Sequence, residues 1–119
     1  RQFYDYLPLN FEDRTSNLNI FEVTDPADRE EEVLDRIIPD DSTQAYDVRD
    51  VVRRIVDNGV IYELYKDWAK NIVIGFSRMN GQTVGIVANQ PKESAGVLDI
   101  DASCKAARFI RFCDCFNIP

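Results

Sequence analysis

The sequence predicts an α/β chain, a ββα core preceded by helices and an irregular acidic lead-in. Three observations carry that prediction. Two β-rich runs, Ile72 to Met79 and Thr83 to Ala88, flank Asn80-Gly81, a dipeptide suited to a turn with positive φ at both central residues. A helical stripe of Ala102, Ala106, Phe109, Cys113 and Phe116 follows the second run. The acids crowd ahead of both: residues 1–59 carry 7 basic and 15 acidic side chains, whereas residues 60–119 carry 7 and 6.

Composition bounds what such a chain can do. Its 119 residues are the size of one domain, and 45% apolar with 29% charged side chains is a globular composition. Apolar runs reach about five residues against the roughly twenty that cross a bilayer, so no membrane partner is expected. A net charge of −7 repels a phosphate backbone, so no nucleic-acid partner is expected either. The chain has no His, which removes a Cys/His zinc site and every Ser-His-Asp or Cys-His arrangement. Its three Cys (Cys104, Cys113, Cys115) are an odd set, one thiolate short of a tetrahedral site, and read as reduced thiols. No metal is expected in this chain.

Along the chain, Arg1 to Asn19 mixes Phe3, Tyr4, Tyr6 and Phe11 with turn residues and reads as a tail followed by a loop; Pro8 breaks any earlier helix. Asp25-Pro26 reads as a helix start, with Glu30, Glu31 and Glu32 at its positive end, Val33, Leu34, Ile37 and Ile38 as its stripe, and Pro39 closing it. The acid run is a solvated face. Asp47 caps the next helix, with Asp50 three residues on as in a capping box. Val48, Val51, Val52, Ile55 and Val56 form one face, Arg49, Arg53 and Arg54 lie away from it, and Asn58-Gly59 is a left-handed stop.

Val60 to Tyr65 is a short strand or extended link. Both hairpin runs are apolar on nearly every residue, which predicts a sheet covered on both faces by more neighbours than the chain readily supplies. Gly75 and Gly85 leave room for a close neighbour. Asn89 to Leu98 is a loop, and Asp99 or Asp101 caps the last helix. There Phe112 and Ile110 widen the stripe, Lys105, Arg108 and Arg111 form the wet face, Cys104 and Cys113 pack, and Cys115 is the most exposed thiol. A helix arriving at Phe116-Asn117-Ile118-Pro119 has the form of a lead-in to a further strand, so a segment of a larger protein is expected.

Several separated blocks resemble one family in its own order. They are Asp25-Pro26-Ala27-Asp28-Arg29, Ile38-Pro39, Lys70 to Phe76, Arg78 to Gly81, Thr83 to Pro91, Leu98 to Ser103, Ala107 to Asp114, and Phe116 to Pro119. The chain resembles the biotin-dependent carboxyltransferase subunits of acyl-CoA carboxylases, propionyl-CoA type, nearly throughout and most thinly over residues 9–22. The resemblance implies part of a crotonase-like (ClpP/crotonase) core. It makes residues 1–45 an inter-domain lead-in with a short helix, and residues 46–119 the N-terminal part of the C-terminal carboxyltransferase domain. The implied reaction moves a carboxyl group from carboxybiotin to propionyl-CoA, giving methylmalonyl-CoA. Biotin is then carried on a partner subunit and the acyl-CoA is the substrate.

The implied partners are further carboxyltransferase β protomers, a hexamer in the family, and a biotin carboxylase/biotin carrier α subunit. The implied compartment is the mitochondrial matrix for a eukaryotic source and the cytoplasm for a prokaryotic one. The family's oxyanion-stabilising amides lie on glycine-rich segments. Gly75, Gly81, Gly85 and Gly96 are isolated, so no catalytic residue is expected here and the chain alone should be inactive. Asn89, Gln90 and Gly96 are the candidate substrate or biotin-pocket residues; loop hydrogen bonding is the competing use of such side chains. At the position of Cys115 a small residue other than Cys is more usual in the family, so the resemblance carries no role over to it. The alternative from another class is a non-enzymatic acidic module binding a basic partner.

Overall fold

The computed structural model describes residues 1–10, 12 and 23–119. The loop expected through Asn19, with Phe11, lies largely outside them. Among the described residues, three α-helices and three strands come in the order α1 (Leu34–Ile37), α2 (Val48–Ile55), β1 (Tyr62–Leu64), β2 (Ile72–Met79), β3 (Gln82–Asn89) and α3 (Ile100–Cys115).

The helix expected from Asp25 shrinks to the single turn of α1, which buries no residue. The reason is a competing use for its cap. The Asp25 carboxylate accepts from Asn58 N at 2.6 Å and from Arg29 Nη1 at 2.7 Å, so it is turned toward residues after α2. Arg29 in turn donates to the carbonyls of Arg54 and Val56 at the end of α2.

α2 forms where expected. Asp47 accepts from Arg49 N at 2.9 Å, while Asp50 turns to Arg53 at 3.4 Å and does not close a reciprocal box. Val52 and Val56 are buried, but Ile55 is half exposed, so the apolar face is only partly covered. Asn58 (φ 55°) and Gly59 (φ 66°) end the helix in the left-handed region.

The sheet has the order β1-β2-β3, all antiparallel. Asn80 (φ 52°) and Gly81 (φ 77°) make the hairpin turn. Asp57 latches it from below, accepting from Asn80 N at 3.0 Å and Gly81 N at 2.7 Å. Because side chains alternate along a strand, Ile74 and Phe76 face one way with Tyr62 and Leu64, and Val73, Gly75 and Ser77 face the other with Glu63.

On the first face sit Phe109 and Cys113 of α3 together with Tyr6 and Ile118. On the second lies α2, tied by Arg49 to Glu63 at 2.7 and 2.9 Å, with Ser77 Oγ donating to Val60 O. Coverage on both faces thus holds for β2, and the chain supplies both covers itself. It fails for β3, an edge strand whose Val87 is 43% exposed.

The glycine expectation holds at two positions. A Cβ on Gly75 would stand 2.5 Å from Tyr62 O, and one on Gly85 would stand 2.9 Å from Cys113 Sγ. The reading of the first residues as a tail does not hold. Tyr4–Tyr6 is a 3₁₀ turn, Tyr6 is buried in the core, and the Arg78 guanidinium lies 4.1 Å over its ring.

α3 is capped by Asp99, which accepts from Ala102 N at 2.8 Å. Three of its side chains differ from expectation. Ile110 is exposed, because the stripe that packs is Ala102, Phe109 and Cys113. Cys104 is exposed with Cys115, one residue off that stripe. Lys105, assigned to the wet face, is 1% exposed, because carbonyls brought from residues 68 to 72 receive its ammonium.

Candidate functional site

Where β3 ends, β2 begins and α3 starts, the fold brings the sequence-predicted residues Asn89, Gln90 and Gly96 to one end of the sheet. They do not play equivalent parts. Asn89 is exposed, and its Nδ2 donates to Gly96 O at 3.2 Å. Gln90 is fully buried: its Nε2 donates to Asp47 Oδ1 at 2.7 Å and its Oε1 accepts from Val48 N at 3.0 Å. Both ends of that amide thus hold the start of α2, leaving Asn89 and the following loop as the outward surface.

The loop itself is strained. Ser94 (φ 48°), Ala95 (φ 53°) and Gly96 (φ 73°) are left-handed in succession. For the two non-glycine residues that conformation costs on the order of 1 kcal/mol each. A Cβ on Gly96 would meet only ordinary contacts near 3.6 Å, so its φ and not its surroundings calls for glycine. Local bonds from Gly96 N to Glu93 O (2.9 Å) and from Val97 N to Ser94 O (3.1 Å) close the turn.

Asn71 and Lys105 are the residues that sequence reasoning missed. Asn71, 6% exposed, accepts from Gln90 N at 2.9 Å on its main-chain carbonyl and donates from its side-chain Nδ2 to Val97 O at 2.7 Å. Lys105 Nζ donates to Trp68 O (2.8 Å), Ala69 O (3.2 Å) and Ile72 O (2.9 Å), which uses all three of its protons. The first two carbonyls belong to the turn between β1 and β2, in which Tyr65 (φ 49°) and Ala69 (φ 45°) are also left-handed, and the third opens β2. No periodicity signals either role. Only the apolar setting of the block Lys70 to Phe76 and the small residues around Lys105 hint that the polar groups among them are buried.

Charges at this end are shifted by the same contacts. Burial would raise Asp47, but the Gln90 amide, Arg49 N–H and Arg49 guanidinium outweigh it and hold the carboxyl below the usual range. The Ala102 N–H, then the Asn71 side chain, hold Asp99 low. Burial pushes the Lys105 ammonium below the usual lysine value, with the charge of Glu63 acting against it.

As donors to a reacting oxyanion the glycines do not fit. Gly59 N bonds Val56 O, Gly81 N bonds Asp57, Gly85 N bonds Pro119 O at 2.7 Å, and Gly96 N bonds Glu93 O. With these amides engaged internally, no carboxyl-transfer step follows from them. Among the described residues no group of three His, Cys, Asp or Glu could hold a metal ion. Tyr65 also borders an apolar cleft of about 560 Å³ against Phe3, Leu64, Phe109 and Phe112, with Arg108 at its rim.

The chain and its fold have close counterparts among known proteins. The carboxyl transferase domain model matches residues 1–119. The mitochondrial propionyl-CoA carboxylase beta chain of Sus scrofa is 52% identical over all of this chain and 22% of its own length. The propionyl-CoA carboxylase beta chain of Roseobacter denitrificans is 48% identical over all of this chain and 23% of its own. Relatives therefore occur both in mitochondria and in bacteria, and the chain spans less than a quarter of their length. A transcarboxylase 12S structure, described as a hexamer with methylmalonyl-coenzyme A and methylmalonic acid bound, superposes with a TM-score of 0.91. It is 42% identical over 99% of this chain and 22% of its own. The α/β class with a crotonase-like core is what these structural counterparts have. By its match over the whole length, this chain belongs to the carboxyl transferase domain family.

Proposed function

We propose that the chain is part of the carboxyltransferase subunit of an acyl-CoA carboxylase, which transfers a carboxyl group from carboxybiotin to propionyl-CoA and yields biotin and methylmalonyl-CoA. One observation carries this reading: the similarity to a propionyl-CoA carboxylase beta chain, 52% identical, covers all 119 residues. Residues 1–45 serve as the lead-in between two domains, and residues 46–119 open the second, biotin-side domain. The loop of Asn89 and Gly96 forms part of a pocket wall there, and Gln90 fixes that wall to α2. The biotin belongs to a separate carrier subunit, the acyl-CoA is the substrate, and further β protomers complete a hexamer. The compartment is the mitochondrial matrix or the bacterial cytoplasm according to source.

This role is architectural, which agrees with glycine amides already engaged inside the chain. The chain alone is therefore inactive. The acidic-module alternative has less support, because Asp25 and Glu31 of the lead-in are paired with Arg29 and Arg54. The test is run in the reverse direction. The assembled protein carrying this chain, given methylmalonyl-CoA, should consume it only when free biotin is added, and the 119-residue chain should not consume it at all. Biotin-independent loss, or none with any acyl-CoA, refutes the proposal.

A further inference from the structure

We propose that Lys105 is the positioning residue of the Gln90–Val97 loop and acts on it through Asn71. A single buried residue, Asn71, grips both ends of that loop: its main-chain carbonyl receives Gln90 N and its side-chain Nδ2 holds Val97 O. The loop between these grips contains the left-handed run Ser94 to Gly96, a conformation that relaxes unless its ends are fixed. Lys105 fixes the grip. Its ammonium binds the carbonyls of Ala69 and Ile72, on either side of Asn71, and of Trp68 one residue further back.

The alternative for Lys105 is generic core packing, and three features count against it. A lysine is almost never fully buried unless it is paired, and this one hydrogen-bonds no carboxylate. Glu63, the acid whose charge reaches it, is held by Arg49 in a two-point bridge on the far side of the sheet. All three acceptors come from one short stretch, Trp68 and left-handed Ala69 in the turn before β2 and Ile72 at its first position. An apolar side chain of equal length would fill the space and leave those carbonyls unmatched, so the turn would rotate them to water and carry Asn71 with it.

The functional half of the inference rests on the carboxyltransferase reading, in which this loop is a pocket wall. The experiment uses the assembled protein with Lys105→Met, Asn71→Ser and the double variant. Amide hydrogen exchange over residues 90–97 should quicken by on the order of tenfold in Lys105→Met, while residues 72–89 keep wild-type protection. Biotin-dependent turnover of methylmalonyl-CoA should fall by about tenfold, the scale on which misplacing a site wall acts. At the Val97 end the double variant should exchange no faster than Asn71→Ser alone, because both act there through the same side-chain bond.

Unchanged exchange at residues 90–97, or loosening that extends equally through the hairpin, overturns the positioning role. A freed loop with turnover within twofold of wild type overturns the functional half. If Lys105→Met does not fold, Asn71→Ser alone decides: a loop that stays protected at its Val97 end overturns the proposal. A wild type without biotin-dependent turnover refutes the carboxyltransferase reading, and the exchange comparison then decides the positioning role by itself.

Discussion

Replacing Gly75 by Ala tests the fold at its tightest approach. The new methyl would stand 2.5 Å from Tyr62 O, 3.0 Å from Tyr62 C and 3.0 Å from Glu63 Cα. Ordinary contact begins near 3.4 Å, so β1 must retreat by nearly 1 Å, and every atom in its way is backbone. β1 has only three residues, with Glu63 directly opposite Gly75, so a shift of that size separates the pair and uncovers Tyr62 and Leu64. Overpacking of this kind costs up to about 3 kcal/mol. For a chain of this size that lowers Tm by roughly 10 °C. Gly85→Ala is the internal comparison: its methyl meets the tip of Cys113 at 2.9 Å and the Phe109 ring at 3.4 Å, side chains that shift more readily than backbone, so about 1 kcal/mol is expected. Urea unfolding followed by the fluorescence of Trp68, the one tryptophan, reads both. Equal losses, or a larger loss for Gly85→Ala, would refute the reasoning from backbone proximity.

Three further outcomes follow from the same structure. Thr83 Oγ1 is buried without a hydrogen-bond partner among the described residues, so Thr83→Val should raise stability by about 1 kcal/mol, read as a higher urea midpoint. Asp47 is held below its usual pKa in the folded chain, so the unfolded chain binds more protons in that window. The stability Asp47 supplies is complete above about pH 4 and is lost as pH falls through its folded value. Urea midpoints of wild type and Asp47→Asn should therefore converge below pH 4; a gap that stays constant from pH 7 to pH 3 would contradict this. Burial pushes the Cys113 thiol up to about 11. Iodoacetamide at pH 8 should therefore label the exposed Cys104 and Cys115 in the native protein and reach Cys113 only in denaturant, as counted by mass spectrometry.

What could be read from the sequence was what neighbouring residues decide among themselves. Asp47 capping α2, Asn58-Gly59 stopping it and Asn80-Gly81 turning the hairpin are each settled within a few residues, and all three stand. Gly75 and Gly85 were legible because a missing side chain inside an apolar strand has few other uses. The errors came from partners far away in sequence. Asp25 has the local look of a helix cap, yet its oxygens serve Asn58, 33 residues on. Lys105 lies on a helix beside Arg108 and shares its apparent polarity, but its partners lie 33 to 37 residues earlier. Tyr6 reads as part of a tail because nothing within the first ten residues reveals that Phe76 stacks on it at 6.2 Å. The candidate pocket residues fared likewise: Asn89 and Gln90 are adjacent amides in the sequence, and only the position of Asp47 turns one inward and leaves the other outside.

The latch of Asp57 on the hairpin turn bears on the order in which the chain folds. β2 and β3 meet across two residues, so their closure entropy is small and the hairpin forms early. The latch, by contrast, joins residues 23 and 24 positions apart, and the ties from α2 to Gln90 span 42 and 43. Helix docking therefore comes after the hairpin exists, onto a turn already shaped to receive the carboxylate. Removing the Asp57 carboxylate should leave the refolding rate nearly unchanged and speed unfolding, whereas disturbing Asn80 or Gly81 should slow refolding itself.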